Sequence, residues 1–216
     1  MRQIQAVAEQ LTVVDNQVHA LQKGMFRDKP VEKMHRQHIR LLQQNKQALQ
    51  LRVAQTIEQE EQLKGKVDNR CVIKGLGVQT LAGIIAETNG FAAFENINHL
   101  VSYSGYDVVE NTSATTVGTT RISRKGNGHI RRSLYFPALN VVKYEVAPFK
   151  QLFDSVYEKT RIKIKAYMAV QRKLLTIIYV LWKKEETFDP SHGNQPSGEA
   201  EGASAFASPP QGSRRT

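Results

Sequence analysis

The chain has 216 residues and a formal net charge of +10, from 30 Lys and Arg against 20 Asp and Glu. Apolar residues make up 40% of the chain, which excludes complete disorder, and the length allows one or two domains. The single cysteine, Cys71, excludes an intramolecular disulfide, and no apolar run approaches the roughly 20 residues that a membrane span needs. Because the first residues enter a polar helical pattern and not a signal peptide, we expect a cytoplasmic protein with no membrane contact.

The N-terminal region predicts two long helices. Apolar residues recur at alternating steps of three and four, which is the seam of a coiled coil: Ile4, Val7, Leu11, Val14, Val18 and Leu21. Gly24 and Pro30 end this pattern, and a second, glutamine-rich helix is predicted over about 31–66. We therefore expect an antiparallel coiled-coil arm over residues 1–66, which either spaces domains or forms homo-oligomers.

Positive charge is concentrated in one part of the chain. Residues 1–110 carry 13 basic and 12 acidic side chains, whereas residues 111–184 carry 15 basic and three acidic ones. Such an excess attracts polyanions, so nucleic acid is the leading partner. A membrane surface would suit a basic amphipathic helix, whereas the cations here also occupy a glycine-rich loop, which fits phosphate contact better.

A compact domain is predicted over residues 69–184, and its first feature is a Gly75-Leu76-Gly77 turn between an apolar helix and a second helix. This pattern is typical of a helix-hairpin-helix. We expect Gly75 and Gly77 to adopt positive φ, so that the amides of the second helix can approach DNA phosphates. The alternative is an ordinary corner between two helices.

A long segment without helical periodicity follows, from Tyr106 to Gly128, and predicts a loop or a weak hairpin. It combines a run of Thr and Ser with three cations, Arg121, Arg124 and Lys125. Hydroxyl groups beside guanidinium groups suit phosphoryl transfer, since one attacks phosphorus and the other stabilises the charge. A polar loop with solvated arginines is the alternative.

The remaining domain predicts a mainly α fold. Helices are expected over about 91–105, 129–139, 148–159 and 166–183. In the first of them, His99 is expected to pack in the core, and the second carries Arg131 and Arg132 near its start as expected nucleic-acid contacts. Residues 190–216 are rich in Pro, Gly, Ser and Ala and predict a disordered tail.

No metal or cofactor site is predicted within this chain. His35 and His38 lie on the long glutamine-rich helix without a third ligand at a suitable spacing. The chain has no cysteine pair for zinc and no nucleotide-binding glycine motif.

Four blocks of sequence, in order, carry a resemblance to a known family: residues 74–82 (KGLGVQTLA), 100–105 (LVSYSG), 121–127 (RISRKGN) and 130–135 (IRRSLY). Together with residues 163–182 and the preceding arm, they resemble the C-terminal half of the bridge-RNA-guided DEDD transposases of bacterial insertion sequences (Piv/MooV type). The resemblance covers roughly residues 1–189.

The resemblance implies a serine that attacks the DNA backbone and becomes attached to it. In the family, this serine follows the aromatic-x-Gly end of a helix by about eight residues, which points to Ser113 after Gly105. Ala114 stands where the family usually has glycine. Ser123 is the second choice for the nucleophile.

The resemblance also implies a resolvase-like domain, before the arm, whose four acidic residues bind Mg²⁺. The acidic residues of the arm lie on predicted helices, not on a sheet: Glu9, Asp15, Asp28 and Glu32. We therefore expect a truncated, nucleoid-associated bacterial transposase, with DNA and a structured guide RNA as partners. The alternatives are a non-catalytic DNA- or RNA-binding regulator and a coiled-coil scaffold.

Overall fold

A computed structural model describes residues 1–24, 28–109, 112–113, 116–117, 121–123 and 125–189. Within these residues the fold is mainly α, as predicted, and the chain divides into two compact units, Met1–Gly65 and a second that begins at Lys66. The helices are α1 (Arg2–Lys23), α2 (Lys29–Gln59), α3 (Glu61–Cys71), α4 (Val78–Thr88), α5 (Ile97–Tyr103), α6 (Gly128–Lys143), α7 (Ala147–Thr160) and α8 (Lys163–Lys184). None of these helices is long and apolar enough to cross a membrane.

The first unit is built from α1 and α2, which pack side by side in opposite directions. Near one end, the Gln22 side-chain amide donates to Glu32 Oε1 at 2.9 Å, and near the other, Gln3 and Leu49 line the same shallow pocket. All six apolar residues of the predicted α1 seam are buried or half-buried. Asp28 caps α2 by accepting from the Val31 amide at 3.1 Å. The coiled-coil interpretation remains a prediction.

The second predicted helix, over 31–66, is interrupted in the structure. Helix α2 ends at Gln59, Glu60 has extended backbone angles (φ −104°, ψ 98°), and α3 then runs on to Cys71. No glycine or proline marks this break, so helical periodicity could not predict it. The apolar helix expected before Gly75 is likewise a turn, because α3 ends at Cys71 and Val72 is already outside it.

The core of the second unit surrounds α8. Helices α5, α6 and α7 all pack against α8, and α4 packs against α6. The inner face of α8 is fully buried at Val170, Leu174, Leu175 and Ile178. The broad apolar pattern of this segment correctly predicted a core helix.

A buried arginine links α3 to α8. The Arg70 side chain is fully buried and donates hydrogen bonds to the carbonyl oxygens of Lys66 and Leu181. Its guanidinium carbon lies 5.2 Å from the centre of the Trp182 ring, where a cation is attracted by the π face. Because its buried contacts join α3 to α8, Arg70 is a structural residue and not part of a basic surface.

The helix predicted over 91–105 is only partly formed. Helix α5 starts at Ile97, after a turn in which Phe91 has a left-handed backbone (φ 61°) and is fully buried against Tyr179 and Trp182. His99 is exposed, so the expectation that it packs in the core is wrong. Its backbone amide donates to the capping Asn96 side chain at 3.0 Å.

The segment between α5 and α6 contains two short antiparallel ladders. Strands β1 (Val108–Val109) and β4 (Arg121–Ile122) pair with each other, and β2 (Thr112–Ser113) pairs with β3 (Thr116–Val117). We call the β1–β4 pair the outer ladder and the β2–β3 pair the inner ladder, because β2 and β3 lie between β1 and β4 in the sequence. The tail predicted over 190–216 lies outside the described residues.

Candidate nucleic-acid interface

The turn at Gly75 is shaped by its contact with α6. Gly75 has a φ of +105°, and a Cβ added there would lie 2.8 Å from Asn140 Cβ, which is too close for any other residue. The flanking Ile73 and Leu76 are buried. The predicted positive φ is therefore found at Gly75, where it allows the turn to pack against α6.

Gly77 differs from this expectation. Its φ is −92°, and a Cβ added there would meet no atom within 4 Å. Gly77 is the N-cap of α4, and its carbonyl accepts from the amides of Thr80 and Leu81. The expectation of positive φ at Gly77 is wrong, because the chain here enters the helix from an ordinary extended conformation. Gly77 and Val78 are exposed, so the start of α4 is open to solvent.

The basic loop, residues 121–127, ends in a tightly held Gly126-Asn127 step. A Cβ at Gly126 would lie 2.4 Å from the Tyr103 carbonyl oxygen, and Gly126 has a φ of +153°. The Asn127 amide donates to that same carbonyl at 2.7 Å. These contacts place the end of the loop directly on the end of α5.

The Asn127 side chain then connects three helices. Its Oδ1 caps α6 by accepting from the amides of His129 at 2.9 Å and Ile130 at 3.4 Å. Its Nδ2 donates to Glu87 of α4 at 2.7 Å and to the hydroxyl of Tyr103, the last residue of α5, at 3.2 Å. One side chain thus links the end of the basic loop to α4, α5 and α6.

The two arginines at the start of α6 have different surroundings. Arg131 is half-buried and donates through Nη1 to the Ser104 carbonyl at 2.7 Å, so it ties α6 to the end of α5. Arg132 is exposed, as is Lys125 in the preceding loop. Arg121 pairs through its backbone with Val109, whereas Arg124 lies outside the described residues.

The two candidate serines occupy different positions. Ser113 lies in the inner ladder, in register with Thr116. Ser123 follows the outer ladder, where its amide donates to the Asp107 carbonyl at 2.7 Å. The Ser123 hydroxyl is buried and has no hydrogen-bond partner among the described residues. Because a nucleophile has to reach a large DNA phosphate, this burial counts against Ser123 in that role.

A buried tyrosine lies at the start of the outer ladder. Tyr106 lies two residues before β1, and its hydroxyl donates to Gln171 of α8 at 2.9 Å. Burial raises the pKa of Tyr106 well above its ordinary value, although the nearby charge of Arg131 opposes this shift. Tyr106 is therefore a neutral anchor between the outer ladder and the core.

The two predicted contact regions lie at opposite ends of α6. The basic loop leads into the first turn at Gly128, whereas the Gly75 turn packs on Asn140. About twelve residues of helix separate these points, which corresponds to roughly 18 Å. The structure therefore connects the two regions through one helix and does not bring them into one cluster.

Sequence reasoning missed the residues that hold the loop in place. Asn127, directly before a helical pattern, is a recognisable N-cap and could have been predicted. Its contacts with Glu87 and Tyr103 could not, because they join residues distant in sequence. The exposed aromatic side chains Tyr135 and Phe136 were also missed, since periodicity alone does not say which apolar residues of a helix face solvent.

Metal ligation and thiol chemistry have no candidate in the part of the chain that the structure describes. No three His, Cys, Asp or Glu residues come together there in a way that could hold a metal ion. The acidic residues Glu9, Asp15, Asp28 and Glu32 lie on or beside α1 and α2 and form no such group. Burial and the charge of Asp68 raise the pKa of Cys71, which disfavours a reactive thiolate.

Comparisons with known proteins find similarity to a transposase family and to two pilin gene-inverting proteins. Residues 71–154 match the family described as "Transposase IS116/IS110/IS902 family". The pilin gene-inverting protein of Moraxella bovis is 26% identical over 136 residues, which is 62% of this chain and 42% of that protein. The pilin gene-inverting protein of Moraxella lacunata is 27% identical over 118 residues, 54% of this chain and 37% of that protein.

These similarities support the predicted transposase family. The chain spans about two fifths of the length of these relatives. The matched residues 71–154 include every predicted contact residue and both candidate serines.

Proposed function

We propose that this chain is the DNA-contacting, serine-bearing part of a transposase or DNA recombinase. The observation that carries the proposal is the family match over residues 71–154, which contains the ladders, the basic loop and α6 together. The relatives are named for gene inversion, which is a rearrangement of DNA. The excess of 15 basic over three acidic side chains in residues 111–184 suits contact with DNA phosphates.

In this proposal Ser113 is the nucleophile. Its oxygen forms a bond to phosphorus while the bond between phosphorus and one deoxyribose oxygen breaks. The serine proton is lost, and the leaving sugar oxygen takes up a proton, so one strand end becomes a free hydroxyl and the other a phosphoserine ester. Arg121, Arg124 and Lys125 would offset the negative charge that builds up on the phosphate oxygens.

The remaining expectations extend the same proposal. The resemblance implies Mg²⁺ in an acidic, resolvase-like domain, but the described residues offer no ligand group that fits the ion, so no step here involves it. We also propose a structured guide RNA as a partner and self-association through α1 and α2. The proposed location is cytoplasmic and nucleoid-associated. The start of α4 at Gly77 and the turn at Gly75 are proposed as a second phosphate contact.

Covalent trapping tests the proposal. The full chain is mixed with nicked element-end DNA, guide RNA and Mg²⁺, with and without a resolvase-like domain of the family added in trans. We expect a protein–DNA adduct that is lost in Ser113→Ala and retained in Ser123→Ala. Loss of the adduct in Ser123→Ala alone would move the nucleophile to that serine.

The other outcomes identify the alternatives. DNA binding without an adduct in any combination would contradict catalysis and favour a non-catalytic binding protein or regulator. No salt-sensitive affinity for DNA or RNA would contradict the proposal as a whole and favour a coiled-coil scaffold.

A further inference from the structure

The outer face of α6 carries exposed aromatic side chains. Phe136 is 69% exposed and Tyr135 is 46% exposed, and their ring centres lie 5.4 Å apart at 79°. At a helical spacing of 100° per residue, they share one face with three other residues. We call this face the aromatic–basic stripe: Arg132, Tyr135, Phe136, Leu139 and Lys143.

These rings lie outside the core of the domain. The opposite face of α6 provides the core contacts, with Ile130, Leu134 and Val141 fully buried. Phe136 has no polar atom, so its exposure to water gives no compensating hydrogen bond. A large apolar side chain kept in solvent beside charged ones indicates an interaction surface.

The charge around the stripe selects the kind of partner. Helix α6 contains no Asp or Glu along its length, and Arg132 and Lys143 are both exposed on the stripe. At the far end, Lys74 Nζ lies 5.4 Å from the ring of the exposed Tyr144. The first acidic residue after the helix in the sequence is the exposed Glu145. This balance favours a polyanion.

We propose that the aromatic–basic stripe binds single-stranded DNA, with unpaired bases stacked on Phe136 and Tyr135 and phosphates held by Arg132 and Lys143. This inference rests on the proposed function, because strand exchange exposes unpaired bases next to the cut. Duplex DNA presents its phosphates and hides the faces of its bases, so it would not make use of an exposed Phe. Every unpaired base offers a π face, and stacking on an aromatic ring is the usual basis of single-strand binding. The stripe is roughly 16 Å long, which is room for a few nucleotides.

Fluorescence anisotropy with the full chain tests this assignment. The probes are a labelled oligothymidylate, the corresponding oligouridylate and a DNA duplex. For Phe136→Ala we expect a loss of affinity for the single-stranded DNA of about fivefold or more, of the order that the removal of one base stack gives. The duplex affinity should stay within about twofold, because the faces of paired bases do not reach the ring.

Matched variants separate stacking from other effects. Phe136→Trp should restore or tighten single-strand binding, whereas Phe136→Leu, which keeps an apolar side chain without a ring, should not. Ile164→Ala removes a side chain that is 57% exposed on α8, and should leave binding unchanged. Because Phe136 makes little contact with the core, the variants should keep the wild-type melting temperature.

Several results would overturn the assignment. Unchanged single-strand binding in Phe136→Ala with wild-type duplex binding retained would contradict the stripe alone and leave the proposed function standing. If Phe136→Ala lost affinity for oligouridylate only, the stripe would be assigned to RNA. If Phe136→Ala changed the sedimentation of the chain but not its affinity for single-stranded DNA, the stripe would be a contact between copies of the chain. Absence of any DNA binding by the wild-type chain would contradict the proposed function as well.

Discussion

At the scale of single residues, Asn127 determines how the basic loop is attached. Its side chain accepts from two amides at the start of α6 and donates to Glu87 and Tyr103. Both ends of its amide group are used, so a carboxylate, which cannot donate, would lose the contacts with Glu87 and Tyr103. The Asn127 side chain therefore adds to the backbone contacts that hold the loop on the domain, such as the bond from the Asn127 amide to the Tyr103 carbonyl.

Replacing Asn127 tests this role. Asn127→Ala removes the cap and both donor contacts, and we expect the free energy of unfolding to fall by about 1–2 kcal/mol. Asn127→Ser keeps a capping oxygen but no donor that reaches Glu87, so its effect should be smaller. Urea denaturation measures both. Equal stability of Asn127→Ala and the wild type would contradict the anchoring role.

At the scale of elements, the turn before α4 has two glycines with different requirements. Gly75 needs positive φ and close packing on Asn140, whereas Gly77 has a negative φ and open space around it. The same Gly-x-Gly pattern thus combines a packing glycine with an exposed helix start.

The two glycines form a matched pair of variants. Gly75→Ala should lower the free energy of unfolding by roughly 2–4 kcal/mol, from left-handed strain and the clash with α6. Gly77→Ala should cost well under half of that, since it meets no neighbouring atom. Thermal and urea unfolding of both variants give the comparison. Similar losses of stability at the two positions would contradict the different packing of Gly75 and Gly77 in the turn.

A pH-dependent contact joins α3 to the end of α8. Lys66 Nζ lies 2.6 Å from Glu185 Oε1, and this hydrogen bond and charge lower the pKa of Glu185. A carboxyl whose pKa is lower in the folded state stabilises the fold above its unfolded pKa, and this stabilisation disappears as the pH falls through the folded pKa.

Comparing Glu185→Gln with the wild type measures this contact. We expect a small difference in the free energy of unfolding at neutral pH, because the pair is exposed, and no difference once the carboxyl is protonated. Urea denaturation across the acidic range follows the change. A difference that stays constant with pH would show that the Lys66–Glu185 pair has no electrostatic effect.

Most of the helices could be predicted from the sequence, because their apolar residues recur with helical spacing. The predicted extent of two helices was wrong. One is interrupted by a single residue, Glu60, within a strong helical pattern, and in the other the buried Phe91 lies in a turn. The spacing of Ser113 after Gly105 could be found from the resemblance, but the nonlocal contacts of Asn127 and the solvent exposure of Phe136 depend on how helices pack. Local sequence carries no information on that packing.

At the scale of the whole molecule, the basic segment and the family match overlap over residues 111–154, which contain the basic loop. Residues 111–184 hold most of the basic excess, and residues 71–154 match the transposase family. Electrostatic binding to DNA releases counterions, so its strength depends steeply on salt. The charge distribution therefore makes a quantitative prediction for the basic loop.

Neutralising the loop tests that prediction. In the triple variant Arg121→Gln, Arg124→Gln and Lys125→Gln, duplex affinity should fall. The slope of log K against log salt should flatten by about 0.9 for each phosphate that the protein no longer neutralises. The same number of glutamines placed in α2, at Lys46, Arg40 and Arg52, serves as the control and should change the slope less. An unchanged slope in the loop variant would contradict the assignment of these cations to DNA.

The most direct test is to locate the covalent attachment of DNA by mass spectrometry. Trypsin separates the two candidate serines, because cleavage after Lys74 and Arg121 places Ser113 in one peptide and cleavage after Arg124 places Ser123 in the next. We predict a nucleotide adduct on the peptide of residues 75–121, with fragmentation assigning it to Ser113. An adduct on the peptide of residues 122–124, or none on either peptide under conditions where DNA is bound, would contradict the role of Ser113 as the nucleophile.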